Sequence, residues 1–126
     1  INEGIDRGQV TGAFVQGLGR VTTENLVYSE QGALLSHSPT TYKIPNIQDT
    51  PREFYLELLE NEEPTNVRGS KAVGEPPLLL GFAAWAAVKN ALSYTGPQYN
   101  PPLRLPATAE EILSCLKQPA AEPVLV

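Results

Sequence analysis

The chain has 126 residues, of which 41% are hydrophobic, enough apolar material for one domain with a modest core. Nine Lys and Arg residues against fourteen Asp and Glu residues give a formal net charge of −5. The sequence has no basic cluster that would neutralise a run of phosphates, so we expect no nucleic-acid partner. With one cysteine and one histidine, it also lacks the ligands for a side-chain-bound zinc ion or iron–sulfur centre.

The chain ends and the longest apolar stretch bear on location. Residues 1–8 have neither an initiating methionine nor the profile of a signal peptide. We therefore expect the chain to start inside a larger protein. The single cysteine, which cannot form an internal disulfide, predicts a cytoplasmic location. The apolar stretch Leu78 to Val88 is interrupted by Gly81 and closed by Lys89. Because roughly 20 apolar residues are needed to cross a bilayer, we predict no membrane association.

The first predicted element is a helix from Gly8 to Val21. Its apolar residues recur at helical spacing: Val10, Phe14, Leu18 and Val21. A neighbouring stripe carries small and amide-bearing residues: Gln9, Gly12, Gln16 and Gly19. Since each glycine costs about 1 kcal/mol relative to alanine in a helix, we expect another element to approach this stripe closely.

The middle of the chain predicts short strands. Residues 26–28 and 33–35 flank a glycine-containing turn, the pattern of two paired strands. Residues 53–60 alternate well enough for a strand but also suit a helix, and periodicity alone does not decide between them. The predicted fold class is α+β, with short mixed strands and about three helices.

Glu75 is the strongest candidate for chemistry. It stands between Gly74 and Pro76-Pro77, and proline is accepted in the first turn of a helix. We therefore place Glu75 at the start of a helix over residues 78–92, which is apolar almost all round and is predicted to be buried on most sides. A carboxylate held this rigidly suits a general base, but the same position also suits an ordinary helix-capping carboxylate.

Other polar residues support weaker hypotheses. The amides of Gln9 and Gln16 have the donors and acceptors to bind a polar heterocycle such as a pterin, although such glutamines often face water. Lys71 could pair with a phosphate or with Glu75, although a lone lysine after a loop is more often solvated. His37 has no nucleophile or ligand partner near it in sequence, so we place it at the surface.

The C-terminal part begins with an irregular, proline-rich stretch over residues 96–106. Thr108 and Glu111 have the spacing of a capping box for a short helix through about Lys117. Cys115 falls on the apolar side of that helix, where we expect a small buried hydrophobe. Residues 119–126 have no periodicity and are predicted to form a mobile tail.

Two blocks of this sequence resemble the C-terminal region of molybdenum hydroxylases of the xanthine dehydrogenase type. They are Gly8 to Gly19 (GQVTGAFVQGLG) and Ser70 to Leu78 (SKAVGEPPL). Shorter matches follow in the same order: Tyr28-Ser29, Thr41 to Pro45 and Pro106 to Thr108. The resemblance covers about residues 4 to 116, and it implies that residues 1–118 are the C-terminal part of the molybdopterin-binding domain.

The resemblance also implies roles for individual residues. Glu75 matches the active-site glutamate of the family, the general base that takes a proton from a hydroxide on the molybdenum as its oxygen attacks an electron-poor ring carbon. Gln9 matches a glutamine beside the cofactor, and the backbone of Lys71, Ala72, Val73 and Gly74 matches a loop that contacts it. The metal is expected to be ligated by the dithiolene sulfurs of the pterin, with no side chain as metal ligand.

For the complete enzyme, the resemblance implies oxidation of purines, hypoxanthine and xanthine to urate. The 2Fe-2S clusters, the FAD and the site of the final electron acceptor, NAD or oxygen, are expected on polypeptide outside this chain. The chain should thus be inactive alone and require the remainder of the molybdenum hydroxylase, in a homodimer or a dimer of heteromers. The proline pair after Glu75 favours xanthine dehydrogenases over animal aldehyde oxidases.

Two alternatives stay open. The first keeps the chemistry and changes the substrate, giving an aldehyde oxidase or an oxidase of another nitrogen heterocycle. The second is a noncatalytic interaction module that docks a partner through the proline-rich residues 96–106, with Glu75 only a helix cap. Cofactor dependence distinguishes the interaction module from an enzyme, because a binding module should fold and act without molybdenum.

Overall fold

The computed structural model describes residues 2–60, 64–96 and 100–117, so the tail predicted at 119–126 lies outside the described residues. The described part holds four α-helices: α1 (Glu3–Thr22), α2 (Pro76–Leu79), α3 (Phe82–Ser93) and α4 (Ala109–Lys117). Single 3₁₀ turns lie at Ile47–Asp49 and Val67–Gly69. Helix α1 packs against α2 and α3, and α3 packs against α4. Within these residues, no helix has the length and apolar character to span a membrane.

The predicted α+β fold with mixed strands is wrong for the described residues, which contain no β-strand. Where two strands were expected, one antiparallel bridge joins Tyr28 to Leu34. The pairing stops there because the next amide, that of Val27, donates to the buried Ser36 hydroxyl at 3.0 Å instead of continuing a ladder. An isolated two-stranded hairpin is marginal in water, and the part of the chain that the structure describes offers no third strand to extend it.

Residues 53–60 form neither a strand nor a helix. Side-chain contacts hold this segment along α1: the rings of Phe14 and Phe54 lie 5.2 Å apart between centroids, and Arg7 Nη1 donates to the Leu56 carbonyl at 2.6 Å. Neither contact pairs the backbone of this segment with another backbone segment, so no strand forms.

The helix predicted over residues 78–92 is interrupted. The Leu80 amide donates to the Pro77 carbonyl and the Gly81 amide to the Leu78 carbonyl, both at 3.1 Å and both three residues back. This tight turn separates α2 from α3. The predicted burial on most sides is also wrong within the described chain, because α1 and α4 cover only part of the surface and Phe82 stays 43% exposed.

The core lies between α3 and α4. Its buried members are Leu92, Leu103, Ala107 and Cys115, with Trp85, Val88 and Ile112 packed against them. Cys115 is 1% exposed, which confirms the predicted small buried hydrophobe, and burial raises the pKa of its thiol. A hydrogen bond of 2.7 Å from the Ala107 amide to the Val21 carbonyl joins the end of α1 to this core.

Only half of the predicted capping box forms at α4. The Glu111 amide donates to the Thr108 hydroxyl at 3.2 Å, as expected. The Glu111 carboxylate instead accepts hydrogen bonds from the Arg104 backbone amide at 3.0 Å and from its guanidinium at 2.6 and 2.9 Å. Both partners of the guanidinium–carboxylate bonds are charged, whereas the capping bond that they replace has a charged acceptor only.

Candidate functional site

Two of the predicted site residues meet where α1 passes the segment that leads into α2. The amide oxygen of Gln9 lies 3.6 Å from the point that a β-carbon on Gly74 would occupy, so an added β-carbon would be in ordinary van der Waals contact with it. Both residues are exposed. A side-chain amide and an open peptide backbone thus share one face, although 65 residues separate them in sequence.

Glu75 follows Gly74 directly and occupies the position before the first residue of α2. Its backbone is helical, with φ −93° and ψ −41°, and its side chain makes no capping hydrogen bond. A capping carboxylate normally has extended backbone and accepts from an amide two or three residues on. Glu75 therefore does not cap α2, and the residue is exposed directly after Gly74 in the chain.

The loop before Glu75 leaves its peptide groups accessible. Residues 71–74 have no regular secondary structure, and Lys71, Ala72 and Gly74 are exposed while Val73 is half-buried. Small side chains at two of the four positions allow a flat ligand to approach the backbone. Lys71 adds a positive charge at the end of the loop away from Glu75.

Close backbone packing holds α2 against α1. A β-carbon on Gly17 would overlap the carbonyl oxygen of Leu78, and one on Gly81 would overlap the backbone of Gly17. The prediction of close approach is confirmed at Gly19, where a β-carbon would overlap the Pro45 ring. It is wrong at Gly12, which has no atom within 4 Å of that point. Sequence reasoning missed Gly17, and the signal available for Gly81 was its interruption of an apolar run.

Gln16 and His37 lie in separate surface grooves. Gln16 lines a groove of about 300 Å³ with Gly12 and Pro45. His37 lines an apolar groove of about 420 Å³, with Leu26 and Ile44 among its walls. Neither groove includes Gln9 or Glu75.

Comparison with known proteins gives the class of the segment. A family model described as a molybdopterin cofactor-binding domain matches residues 1–51. The chain is 44% identical to aldehyde oxidase 4 of Mus musculus over 94% of its own length, and 44% identical to a xanthine dehydrogenase of Drosophila subobscura over 89%. It superposes on quinoline 2-oxidoreductase from Pseudomonas putida 86 with a TM-score of 0.79, at 28% identity over 94% of the chain.

The segment is thus part of a molybdopterin cofactor-binding domain. The chain belongs to the molybdenum hydroxylase family, which includes the matched xanthine dehydrogenases and aldehyde oxidases, and the cofactor of the family is molybdopterin with molybdenum. It spans about 9% of the length of those two relatives and 15% of the quinoline oxidoreductase chain.

The residues of the Gln9 face fit such a cofactor. Pterins carry both hydrogen-bond donors and acceptors, and the Gln9 amide offers both beside the uncovered backbone of Gly74. Among the described residues, no group of three His, Cys, Asp or Glu side chains is arranged to hold a metal ion. The donors and acceptors of the Gln9 amide match those of the organic part of the cofactor.

Proposed function

We propose that the protein containing this segment hydroxylates purines, converting hypoxanthine and xanthine to urate, with Glu75 as the general base. The observation that carries the proposal is that the exposed Glu75, at the position before the first residue of α2, makes no side-chain capping bond and directly follows Gly74, which lies close to Gln9. A carboxylate that does not cap the helix, next to the loop proposed to bind the cofactor, is suited to accept a proton.

In the overall reaction, a ring C–H bond is replaced by a C–O bond whose oxygen comes from water, and two electrons and two protons leave. When bound, the molybdenum cofactor supplies activation of that oxygen and acceptance of the two electrons. An oxygen of the Glu75 carboxylate takes one proton. Pro76 and Pro77 restrict the backbone beside Glu75, so the carboxylate needs little reorganisation before it accepts that proton.

Gln9 and residues 71–74 hold the cofactor in this proposal. The Gln9 side chain forms hydrogen bonds with the polar edge of the cofactor. The peptide groups of the loop contact the cofactor where Ala72 and Gly74 leave the backbone open. The iron–sulfur clusters, the flavin and the electron-acceptor site belong to the remainder of the enzyme. That remainder covers apolar surface left open here, such as Leu79, which is 67% exposed.

Oxidation of aldehydes is the second candidate. The identity to aldehyde oxidase 4 equals the identity to the xanthine dehydrogenase, 44% in both. Overall identity therefore does not choose between the substrates, and the preference for purines rests on the Pro76-Pro77 pair.

A substrate profile of the full-length enzyme tests the proposal. Xanthine, hypoxanthine and an aromatic aldehyde are compared by kcat/KM, with the reaction run in ¹⁸O-labelled water. We expect labelled urate and the highest kcat/KM for the purines. A higher kcat/KM for the aldehyde would replace the purine assignment by the second candidate, and a Glu75→Gln variant with undiminished turnover would remove the assigned base.

A further inference from the structure

We propose that the contact between Gly17 and Gly81 positions Glu75. By letting α2 lie directly on α1, the two glycines set where the Glu75 carboxylate and Gly74 stand relative to Gln9. Gly17 and Gly81 are then positioning residues that act through α2. This inference rests on the proposed function, since positioning matters to turnover only if Glu75 is the base.

The requirement for glycine at these two positions comes from the crossing. Gly81 has φ −56° and ψ −28°, and Gly17 lies within α1, so other residues adopt both conformations. A β-carbon at either position would instead overlap main-chain atoms, those of Leu78 or of Gly17 itself. Main-chain atoms cannot rotate away as a side chain can, so α2 would have to move from α1.

A short, stiff path connects the crossing to Glu75. The Gly81 amide donates to the Leu78 carbonyl and the Leu78 amide donates to the Glu75 carbonyl, each at 3.1 Å. Between them, Pro76 and Pro77 have restricted φ angles. Displacement of Leu78 is therefore passed to Glu75 with little absorption in the intervening turn.

The chain offers matched controls on the same helix. Gly19 is buried like Gly17, but a β-carbon there would meet Pro45 and the Glu24 carboxylate, not α2. Gly12 is exposed, and a β-carbon there would meet no atom within 4 Å. Gly19→Ala therefore reports on crowding α1 without pressing on α2, and Gly12→Ala reports on the substitution itself.

The test compares the full-length holoenzyme with its Gly17→Ala, Gly81→Ala, Gly19→Ala and Gly12→Ala variants. Turnover is expressed per bound molybdenum, and hydrogen exchange of residues 70–81 is measured in protein freed of cofactor. For Gly17→Ala and Gly81→Ala, we expect turnover per molybdenum to fall on the order of 100-fold, the loss that about 1 Å of misplacement produces. Exchange of residues 70–81 should quicken in these two variants and stay as in the unmodified protein in both controls.

Three outcomes separate the claims. If Gly17→Ala and Gly81→Ala turn over as fast per molybdenum as Gly12→Ala, the positioning role is overturned. Failure of both Gly17→Ala and Gly81→Ala to fold, with Gly19→Ala folded, would also overturn it, because the glycines would then serve folding alone. Undiminished turnover of a Glu75→Gln variant measured in parallel would instead contradict the proposed function, independently of the results for the glycine variants.

Discussion

The amide oxygen of Gln9 lies 3.6 Å from the point that a β-carbon on Gly74 would occupy. This proximity brings α1 to the loop that ends at Glu75. In the proposed function, it places one side-chain amide and one bare peptide on the cofactor, so a change at either residue should reduce cofactor binding and leave the fold largely unchanged.

Gly74→Ala should separate these effects. The added methyl group has room beside Gln9, so the free energy of unfolding should change by no more than about 0.5 kcal/mol. The methyl group would cover a peptide proposed to contact the cofactor, and the molybdopterin content of the purified enzyme should fall. Gly12→Ala, with open space around it, is the control. Full molybdopterin content in Gly74→Ala would argue against a cofactor contact at this loop.

Leu103 should be a main contributor to the core of this segment. It is 6% exposed and packs in the cluster between α3 and α4. Leu103→Ala should lower the free energy of unfolding by about 2 to 5 kcal/mol because a cavity is left behind. The volume-conserving Leu103→Met should cost less than about 1.5 kcal/mol. The comparison is made by calorimetry of the full-length enzyme, and equal effects of the two substitutions would contradict this packing.

The pair of Arg104 and Glu111 should make stability depend on pH. Hydrogen bonds from Arg104 hold the pKa of the Glu111 carboxyl below its ordinary value. A depressed pKa in the folded state stabilises the protein above the unfolded-state pKa, and this stabilisation is lost as pH falls through the folded-state pKa. We therefore expect Glu111→Gln to lower the Tm at neutral pH.

The Tm difference between the unmodified protein and Glu111→Gln should shrink as the pH is lowered below the ordinary range of a glutamate. Glu110 is the matched control, because it is the exposed neighbour of Glu111 on α4. Glu110→Gln should show a smaller Tm difference at neutral pH. A Glu111→Gln difference that stays constant down to acid pH would mean that the ion pair does not stabilise the fold.

Cys115 should react slowly with alkylating agents in the native protein. Its side chain is 1% exposed, and burial raises the pKa of its thiol, so both access and the thiolate fraction are low. Mass spectrometry of the peptide after iodoacetamide treatment should find it unmodified in buffer and modified in denaturant. Rapid modification in buffer would show that α4 does not stay packed on α3.

Local sequence features predicted the helices, but they predicted the helix boundaries less well. Apolar residues at helical spacing located α1, and the proline pair after Glu75 located the start of α2. The break at Leu80 and Gly81 was not predicted. Gly81 lies against the backbone of Gly17, more than 60 residues away, and the local sequence pattern carries no information about that contact. The glycine-containing turn after Tyr28 predicted two paired strands, but the Val27 amide bonds to Ser36 and ends the pairing. A local turn pattern carries no information about such a side-chain partner.

The candidate site was predicted chiefly through family resemblance. Local pattern alone gave Glu75 as either a base or a helix cap, and the structure removes the cap by showing no capping bond. The neighbouring positions of Gln9 and Gly74 follow from the packing of α1 and could not be read from either segment alone. Gly17 escaped prediction because it falls outside the stripe of small residues defined by Gly12 and Gly19.

The most direct measurement of the central claim is xanthine turnover per bound molybdenum by full-length enzyme carrying Glu75→Gln, beside an exposed-site control, Glu57→Gln. The amide keeps the size of the side chain and removes its capacity as a base. We predict a fall of about 1000-fold in kcat for Glu75→Gln, the scale of lost general-base catalysis, with molybdenum content unchanged and Glu57→Gln fully active. Turnover of Glu75→Gln within about tenfold of the control, at equal molybdenum content, would contradict the assignment of Glu75 as the base.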